Sequence, residues 1–310
     1  MVWILWGSTY LAIRVGVETI PPYLMIGVRY VIAGALLWGL QVLFAREKPS
    51  LPSPREFGRI ALTGVLLLVF GNGFLAVAET RVPSGVAALL VASLPIWMLI
   101  LEALRVRRPI GWSSIAGLLV GSAGMILLVG TPAGGANALY ALLILTGTIS
   151  WAAGSIYART SEQHHALTVP LEMIAGGIVA VLVGLGLGEA KHFVLADVSL
   201  QSWLGMLWLI TGGAMAGYTA YAYVVRTLPA PTVATYAYVN PVVAVVLGAA
   251  ILHEPLTWNV LAGGATILAS VVVILLGTRS GRASEARVTL RDPKVVSTVQ
   301  APPASAANRL

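Results

Sequence analysis

The sequence predicts an all-α polytopic membrane protein with ten transmembrane helices arranged as two inverted five-helix repeats. Three observations lead to this fold class. Of the 310 residues, 58% are hydrophobic and only 10% are charged, whereas a soluble domain carries about 25% charged residues. The apolar residues fall into runs close to the roughly 20 residues that cross a bilayer as a helix. The two halves of the chain also repeat one another.

Ten apolar runs account for most of the chain, and the short loops between them carry turn residues such as proline and glycine. Short segments of alternating polarity, which a membrane barrel would need, are absent from the sequence. The predicted spans are Val2–Val17, Tyr23–Phe44, Arg59–Ala78, Ser84–Leu104, Trp112–Gly130, Ala136–Ala158, Thr168–Leu187, Leu200–Val225, Thr232–Leu252 and Trp258–Gly277. Residues 278–310 are polar, basic and poor in aromatic side chains, so we expect a disordered cytoplasmic tail.

The basic residues are divided unevenly between the two sides of the predicted bundle. With ten spans, both termini lie on the same side. Fifteen of the 19 lysines and arginines fall on that side, two fall on the other, and Arg14 and Arg29 lie within spans. Cytoplasmic loops carry such an excess of positive charge, so we expect both termini to be cytoplasmic. The N-terminus lacks the charged region of a cleavable signal peptide.

The two halves share prolines, tryptophans and glycines at a nearly constant offset. Trp6 and Arg14 are eight positions apart, as are Trp151 and Arg159. At an offset of 146 positions, Pro83, Pro95, Pro109 and Trp112 recur as Pro229, Pro241, Pro255 and Trp258. We therefore predict one repeat over residues 1–130 and a second over residues 136–277, each with five spans. Because five is odd, the second repeat is inverted in the membrane, and inverted repeats are typical of secondary transporters.

Several segments resemble a known family of transporters. They are WGSTYLAIR (6–14), GNGFLAVAE (71–79), VPSGVAALLVASLPIW (82–97), ISWAAGSIYAR (149–159) and PTVATYAYVNPVVAVVLGAAILHEPLT (231–257). Over residues 1–277 the chain resembles EamA-type transporters of the drug/metabolite transporter superfamily, and most of all YedA-like permeases. It departs from the family pattern at Arg107–Pro109, where a Glu-Pro pair is usual, and keeps that pair as Glu254-Pro255.

The resemblance implies ten helices around a central cavity. It also implies a secondary-transport exporter that moves small metabolites, amino acids or drugs across the bacterial inner membrane by alternating access. The expected partners are a small-molecule substrate and the lipid bilayer, with no nucleic acid, and we expect a monomer or a weak homodimer. Two glycine pairs, Gly117/Gly121 and Gly213/Gly217, allow close helix approach.

Charged residues inside the spans are expensive and usually functional. The predicted orientation places one group near the outer ends of the first three helices: Arg14, Arg29 and Glu79. It places a mirrored group near the cytoplasmic helix ends of the second half: Arg159, Glu172 and Arg226. We interpret these groups as an outer and an inner gate closed by salt bridges. The alternative for Arg14, Arg159 and Arg226 is that their long side chains reach the lipid headgroups.

Pro95 and Pro241 lie inside predicted helices, where each removes a backbone hydrogen bond. In a bilayer such a gap is tolerated where it faces protein or a water-filled cavity, so the pair points to a midplane site. A packing kink is the alternative. The other residues predicted to line a substrate cavity are Asn72, Ser93, Trp97, Tyr218, Tyr221, Tyr236 and Asn240. Such walls suit a partly apolar solute with a few hydrogen-bonding groups.

Other functions receive less support from the sequence. The chain has no cysteine, and it has no P-loop for direct use of ATP. The carboxylates of the spans lie near helix ends, which favours facilitated diffusion or exchange over strong proton coupling. An intramembrane enzyme would need convergent catalytic groups in the spans, but the four histidines lie in loops. We therefore predict no enzyme, catalytic residue, metal or cofactor, and keep an enzyme or a non-transporting sensor or scaffold as alternatives.

Overall fold

The computed structural model describes residues 2–44, 50–107, 112–129, 138–161, 167–191, 193–217, 220 and 236–289. Within these residues the side chains of 2, 113–114, 128–129, 236–238 and 274–289 are not described. The described residues are almost entirely helical and contain no strand. Five helices in them are long and apolar enough to cross a membrane.

The first half of the chain forms five helical segments. They are α1 Val2–Gly16, α2 Pro22–Phe44, α3 Pro54–Glu79, α4 Ser84–Val106 and α5 Trp112–Val129. Helix α3 begins five residues before the predicted Arg59, because Ser53 and Glu56 form a reciprocal capping box and Pro54 occupies the first turn. A capping box satisfies two backbone donors at a helix start, so the polar first turn is helical although it is not apolar.

Two of these helices are irregular in the middle. In α3, residues Val65–Asn72 form a π-helix. Helix α4 is interrupted after Val91, and its second segment, Leu94–Val106, has Pro95 in its first turn. Proline lacks the backbone N–H that a helix interior needs but is tolerated in the first turn, so the chain breaks ahead of it. Pro95 therefore starts a new helical segment.

The second half forms five more segments. They are α6 Ala138–Thr160, α7 Thr168–Gly186, α8 with Leu200–Trp208 followed by the π-helical Leu209–Ala216, α9 Tyr236–Ile251 and α10 Trp258–Thr289. Helix α10 continues to Thr289, so it extends beyond the predicted span end at Gly277 and includes the first residues of the predicted tail. Residues 278–289 contain alanine, arginine and glutamate and no proline, which favours helix. Residues 290–310 lie outside the described residues.

Helices from the two halves pack against one another throughout the bundle. The main pairs are α2 with α7, α4 with α9 and α5 with α10, while α1 contacts α8 and α9, and α3 contacts α6 and α7. At the crossing of α2 and α7, a Cβ on Gly177 would lie 2.8 Å from the carbonyl oxygen of Gly27. Glycine at both positions lets the two backbones touch.

The glycine pairs named from the sequence also serve packing within the chain. Gly213 and Gly217 of α8 lie against Thr9 and Trp6 of α1, and Gly121 of α5 lies against Ser270 of α10. We call the end of the bundle where α3 stops and α4 starts the Glu79 end. We call the end where α6 stops and α7 starts the Arg159 end.

Candidate functional site

A cavity of about 510 Å³ lies between the two halves of the chain. Helices α1, α2, α3, α4, α6, α8 and α9 contribute lining residues, whereas α5, α7 and α10 contribute none among the described residues. The lining includes Arg159, in the last turn of α6, but neither Arg14 nor Glu79. The cavity therefore reaches the Arg159 end of the bundle and stops short of the Glu79 end. Its volume is in the range that holds a small organic molecule.

Arg29 is the charged residue at the deep part of this cavity. Its side chain is only 4% exposed. One guanidinium nitrogen, Nη2, donates to the hydroxyl of Tyr30 at 2.7 Å and to Oδ1 of Asn72 at 3.1 Å. The guanidinium carbon lies 4.4 Å from the centre of the Tyr30 ring, in a cation–π contact. Neutral groups thus hold the cation in place without cancelling its charge.

Two asparagines give the cavity neutral polar groups. Asn72 ends the π-helix of α3, and its Nδ2 donates to the carbonyl of Leu67 at 3.4 Å. Asn240 lies one residue before Pro241 on α9 and is 8% exposed. Its Oδ1 has no hydrogen-bond partner among the described residues. Because a buried polar atom without a partner is costly, Asn240 is a candidate ligand for a solute.

Aromatic side chains form much of the cavity wall. Trp6 of α1 donates its indole N–H to the carbonyl of Gly213 at 3.2 Å. Trp151 of α6 packs on Gly71, where an added Cβ would lie 2.9 Å from the indole ring. In both contacts the glycine belongs to a π-helical segment of the other half. Tyr10 also lines the cavity, so the wall offers ring faces as well as hydrogen-bonding groups.

At the Arg159 end, a few exposed contacts cross between helices. Arg159 lies 3.7 Å from a carboxylate oxygen of Glu102 on α4, and the two side chains are 64% and 40% exposed. Arg59 of α3 donates to the carbonyl of Ser161 at 3.3 Å. Exposed ion pairs of this kind contribute about 0–1 kcal/mol. The ion pair between Arg159 and Glu102 is therefore weak.

At the Glu79 end, the helix ends are joined by buried and partly buried hydrogen bonds. Arg14 donates to the backbone carbonyl of Glu79 at 2.6 Å. The Glu79 side chain is fully buried, and its carboxylate oxygens accept no hydrogen bond from the described residues. Ser202 of α8 donates to the carbonyl of Val15 at 2.8 Å.

Two carboxylates from the second half also cap helices of the first half at this end. Glu254 accepts from the backbone N–H groups of Ser84 at 2.7 Å and Gly85 at 3.0 Å, at the start of α4. Glu189 accepts from those of Tyr23 at 3.2 Å and Leu24 at 2.9 Å, at the start of α2. A helix start has unpaired N–H groups and partial positive charge, so a carboxylate stabilises it.

The structure brings together some of the residues predicted for the cavity. Asn72 and Asn240 line it, together with Arg29 and Arg159. Ser93, Pro95, Trp97 and Pro241 are not among the lining residues. Ser93 instead donates to the carbonyl of Leu90 at 2.6 Å and accepts the indole N–H of Trp97 at 3.1 Å, inside the break of α4.

The predicted gate residues form fewer ion pairs than expected. Within the described residues Arg14 bonds to the backbone of Glu79, and neither Arg14 nor Arg29 forms a salt bridge with its carboxylate. The carboxylate beside Arg159 is Glu102, not Glu172 of α7. Tyr218, Tyr221 and Arg226 lie outside the described residues, as does the side chain of Tyr236.

Several residues that line the cavity were not predicted from the sequence. Trp6, Tyr10, Tyr30 and Trp151 line it, although single aromatic residues in a membrane protein are more often interfacial. A signal was present for the two tryptophans, because Trp6 and Trp151 hold the same place in the two repeated segments. Tyr30 follows Arg29 directly, and an aromatic neighbour of a span arginine is a further signal.

Apolar helices of membrane length around a cavity with a few polar groups indicate a polytopic membrane protein that accommodates a small molecule. The chain matches the EamA-like transporter family over residues 1–130 and 138–276. The chain belongs to this family.

Curated relatives carry transporter names. The chain is 39% identical over 280 residues to the uncharacterized inner membrane transporter YedA of Escherichia coli K12, with 88% of each chain covered. It is 25% identical over 293 residues to a probable amino-acid metabolite efflux pump of Salmonella typhimurium, covering 91% of this chain and 95% of the relative. A solved crystal structure of a protein that is 18% identical superposes with a TM-score of 0.61 over 89% of this chain and 94% of that one, which shows a shared fold.

Proposed function

We propose that this protein is a secondary-transport exporter of the bacterial inner membrane, which moves small metabolites, amino acids or drugs by alternating access. The observation that carries the proposal is the cavity between the halves, which reaches the Arg159 end and stops before the Glu79 end. Two relatives are named as an inner membrane transporter and a probable amino-acid metabolite efflux pump. These names support a location in the inner membrane and transport out of the cell.

The proposed architecture is ten transmembrane helices in two inverted five-helix repeats, α1–α5 and α6–α10. When each helix is replaced by its counterpart in the other repeat, each of the following helix pairs either stays the same or becomes another observed pair. The pairs α2–α7, α4–α9 and α5–α10 map onto themselves, and α1–α8 maps onto α6–α3. The π-helices lie in the counterparts α3 and α8. The two described non-glycine residues with positive φ, Arg107 and His253, are separated by the same 146 positions as the repeated prolines.

The proposed orientation places the Arg159 end in the cytoplasm, together with both termini. The excess of lysine and arginine in the loops at that end supports it. The cavity would then load solute from the cytoplasm. Transport requires the Glu79 end to open and the Arg159 end to close, and the repeat provides the rigid halves for such a movement.

The proposed gates follow from the contacts at the two ends. At the outer gate, Arg14 joins α1 to the backbone of Glu79 on α3, and Arg29 of α2 lies within electrostatic range of the Glu79 carboxylate. At the inner gate, Arg159 pairs with Glu102 in this arrangement, and Glu172 and Arg226 complete the group. The weak exposed pair at the inner gate suits an arrangement in which this end is accessible to water.

Single-cysteine labelling tests this proposal, because the chain has no native cysteine. Ser155 of α6 lines the cavity, whereas Thr146 of the same helix is exposed on the outer surface of the bundle. We expect S155C to react with a membrane-impermeant maleimide only from the cytoplasmic side and transported solutes to change its rate. T146C, facing lipid, should stay unreactive. Arg81 lies exposed in the loop at the Glu79 end, so R81C should react only from the opposite side.

Flux measurements complete the test. Wild-type protein in proteoliposomes should give saturable flux of at least one solute from a panel of amino acids, organic acids and cationic dyes. The proposal fails if no solute in the panel crosses faster than in empty liposomes. The orientation fails if S155C and R81C are labelled from the same side.

A further inference from the structure

The deep part of the cavity holds a positive charge that forms no ion pair with the described residues. Arg29 lines the cavity and is buried, and in the described residues no carboxylate oxygen lies within the 4.0 Å of an ion pair with it. Its Nε–H has no hydrogen-bond acceptor there. A buried arginine with an unused donor and no counter-ion is costly in a membrane protein, and such a residue is usually functional.

The charge of the rest of the cavity has the same sign. The described lining residues include Arg29 and Arg159 but no aspartate or glutamate. Residues 218–235, between α8 and α9, lie outside the described residues except Ala220, and their sequence contains no aspartate or glutamate. A solute with a positive group would therefore find no ionic partner in this lining, and a solute with a negative group would find Arg29.

Glu79 is the nearest alternative counter-ion, since its carboxylate lies within electrostatic range of both Arg14 and Arg29. It does not line the cavity and makes no hydrogen bond to Arg29. The position of Arg29 is set by Tyr30 and Asn72 instead, both of which are neutral.

We infer that the cavity binds an organic anion, whose acid group is held by Arg29 and whose apolar or aromatic body lies against Trp6, Tyr10 and Trp151. The guanidinium presents several N–H donors in one plane, which match the oxygens of a carboxylate. The indole and phenol rings supply apolar contact area. Asn240, with its unpartnered Oδ1, accepts a hydrogen bond from a neutral hydroxyl or amide of the solute. The inference rests on the proposed function and narrows its substrate class.

Three probes with one aromatic body and different charge test the inference. They are 3-phenyllactate, an anion; phenylalanine, a zwitterion; and phenylethylamine, a cation. Binding to purified protein is followed by quenching of tryptophan fluorescence, since Trp6 and Trp151 line the cavity. We expect phenyllactate to bind at least about tenfold more tightly than phenylethylamine, which lacks the carboxylate and therefore a charge-assisted hydrogen bond to Arg29. We also expect it to bind more tightly than phenylalanine, whose carboxylate can make the same bond but whose ammonium group has no ionic partner among the described lining residues. Equal or tighter binding of the zwitterion or the cation, or no binding of phenyllactate, overturns the inference.

Variants test whether Arg29 causes the preference for the anion. R29Q should abolish the preference for the anion, whereas R29K should retain part of it because the charge remains. R81Q removes an exposed arginine near the same end of the bundle and should leave all three affinities unchanged. E79Q should keep the anion preference, because Glu79 is not the binding group. If R29Q keeps the preference, or if E79Q abolishes it, Arg29 is a latch to Glu79 and the inference is wrong. Each variant is first checked for a monodisperse profile in size-exclusion chromatography, and R29K carries the test if R29Q does not fold.

Flux separates this inference from the proposed function. Flux of phenylalanine or phenylethylamine without any preference for phenyllactate would refute the anion site and leave the transporter in place. Binding of phenyllactate without flux of any solute in proteoliposomes would support the anion site and refute the transporter.

Discussion

Replacing Glu254 should weaken the contact between the two halves at the Glu79 end. The residue before α4 is Pro83, whose side chain makes no capping hydrogen bond, so the first turn of α4 relies on Glu254 from the other half. A hydrogen bond to a charged group contributes about 1.5–3 kcal/mol, and a helix cap about 0.5–2 kcal/mol. Glutamine keeps one acceptor oxygen and loses the charge. We expect E254Q to cost about 2 kcal/mol and E254A to cost more, since alanine leaves both N–H groups without an acceptor.

The assay is the midpoint temperature at which purified protein loses its monodisperse peak in size-exclusion chromatography. A loss of about 2 kcal/mol corresponds to a decrease of about 4–8 °C. G248A should have a similar effect, because a Cβ there would collide with the Glu254 carboxylate. D197N removes an exposed carboxylate from the loop between α7 and α8 and should leave the midpoint unchanged. An unchanged midpoint for E254Q, or an equal loss for D197N, would refute this account of the cap.

Two further predictions concern packing and the Arg159 end. G177V places a side chain 2.8 Å from the carbonyl of Gly27 and 2.9 Å from the backbone nitrogen of Val31, so it should lower the midpoint by an amount that corresponds to about 1–3 kcal/mol. G39A, on α2 where nothing lies within 4 Å of an added Cβ, should keep or raise the midpoint, and a loss there as large as that of G177V would contradict the packing argument. E102Q removes the exposed partner of Arg159. It should lower the free energy of unfolding by less than about 1 kcal/mol, and high salt should reduce the difference from wild type. A loss as large as that of E254Q would show that the ion pair is not weak.

The helical architecture could be predicted because the length of each apolar run indicates a membrane-spanning helix. The predicted starts of the spans at Ser84, Trp112, Thr168, Leu200 and Trp258 agree with the helix starts in the structure. The start of α3 was wrong because hydropathy ignores a polar first turn, although the Ser53 and Glu56 spacing is a capping signal. The end of α10 was wrong for a related reason, since a polar segment without proline can continue a helix beyond the apolar part.

The candidate site was predicted only in part. Asn72 and Asn240 were predicted for the cavity and line it, and their polarity inside apolar segments was the signal. Arg29 and Arg159 also line the cavity, although they were predicted as gate residues. Pro95 and Pro241 were predicted to line the cavity but are not among the lining residues. A proline shows that a helix is interrupted, but not which side of the helix has the unpaired backbone carbonyl.

The long-range contacts could not be predicted from the local sequence. Glu254 was noted as part of a motif, but its bonds reach Ser84 and Gly85 in the other half of the chain. No local pattern predicts such a pairing. The π-helices of α3 and α8 were also unpredictable, since composition does not distinguish them from α-helix.

In the proposed alternating-access cycle, the two caps at the Glu79 end affect the balance between the inward-facing and outward-facing forms. Two identical inverted halves would make the inward-facing and outward-facing forms equally stable. Here Glu254 and Glu189 both belong to the second half and stabilise only one end. The position 146 residues before Glu254 is Arg108, whose guanidinium has no acceptor and so cannot bind helix N–H groups as the Glu254 carboxylate does. A difference of about 2 kcal/mol favours one form about thirtyfold, so in the proposed cycle the protein without solute would rest in the form whose cavity opens at the Arg159 end.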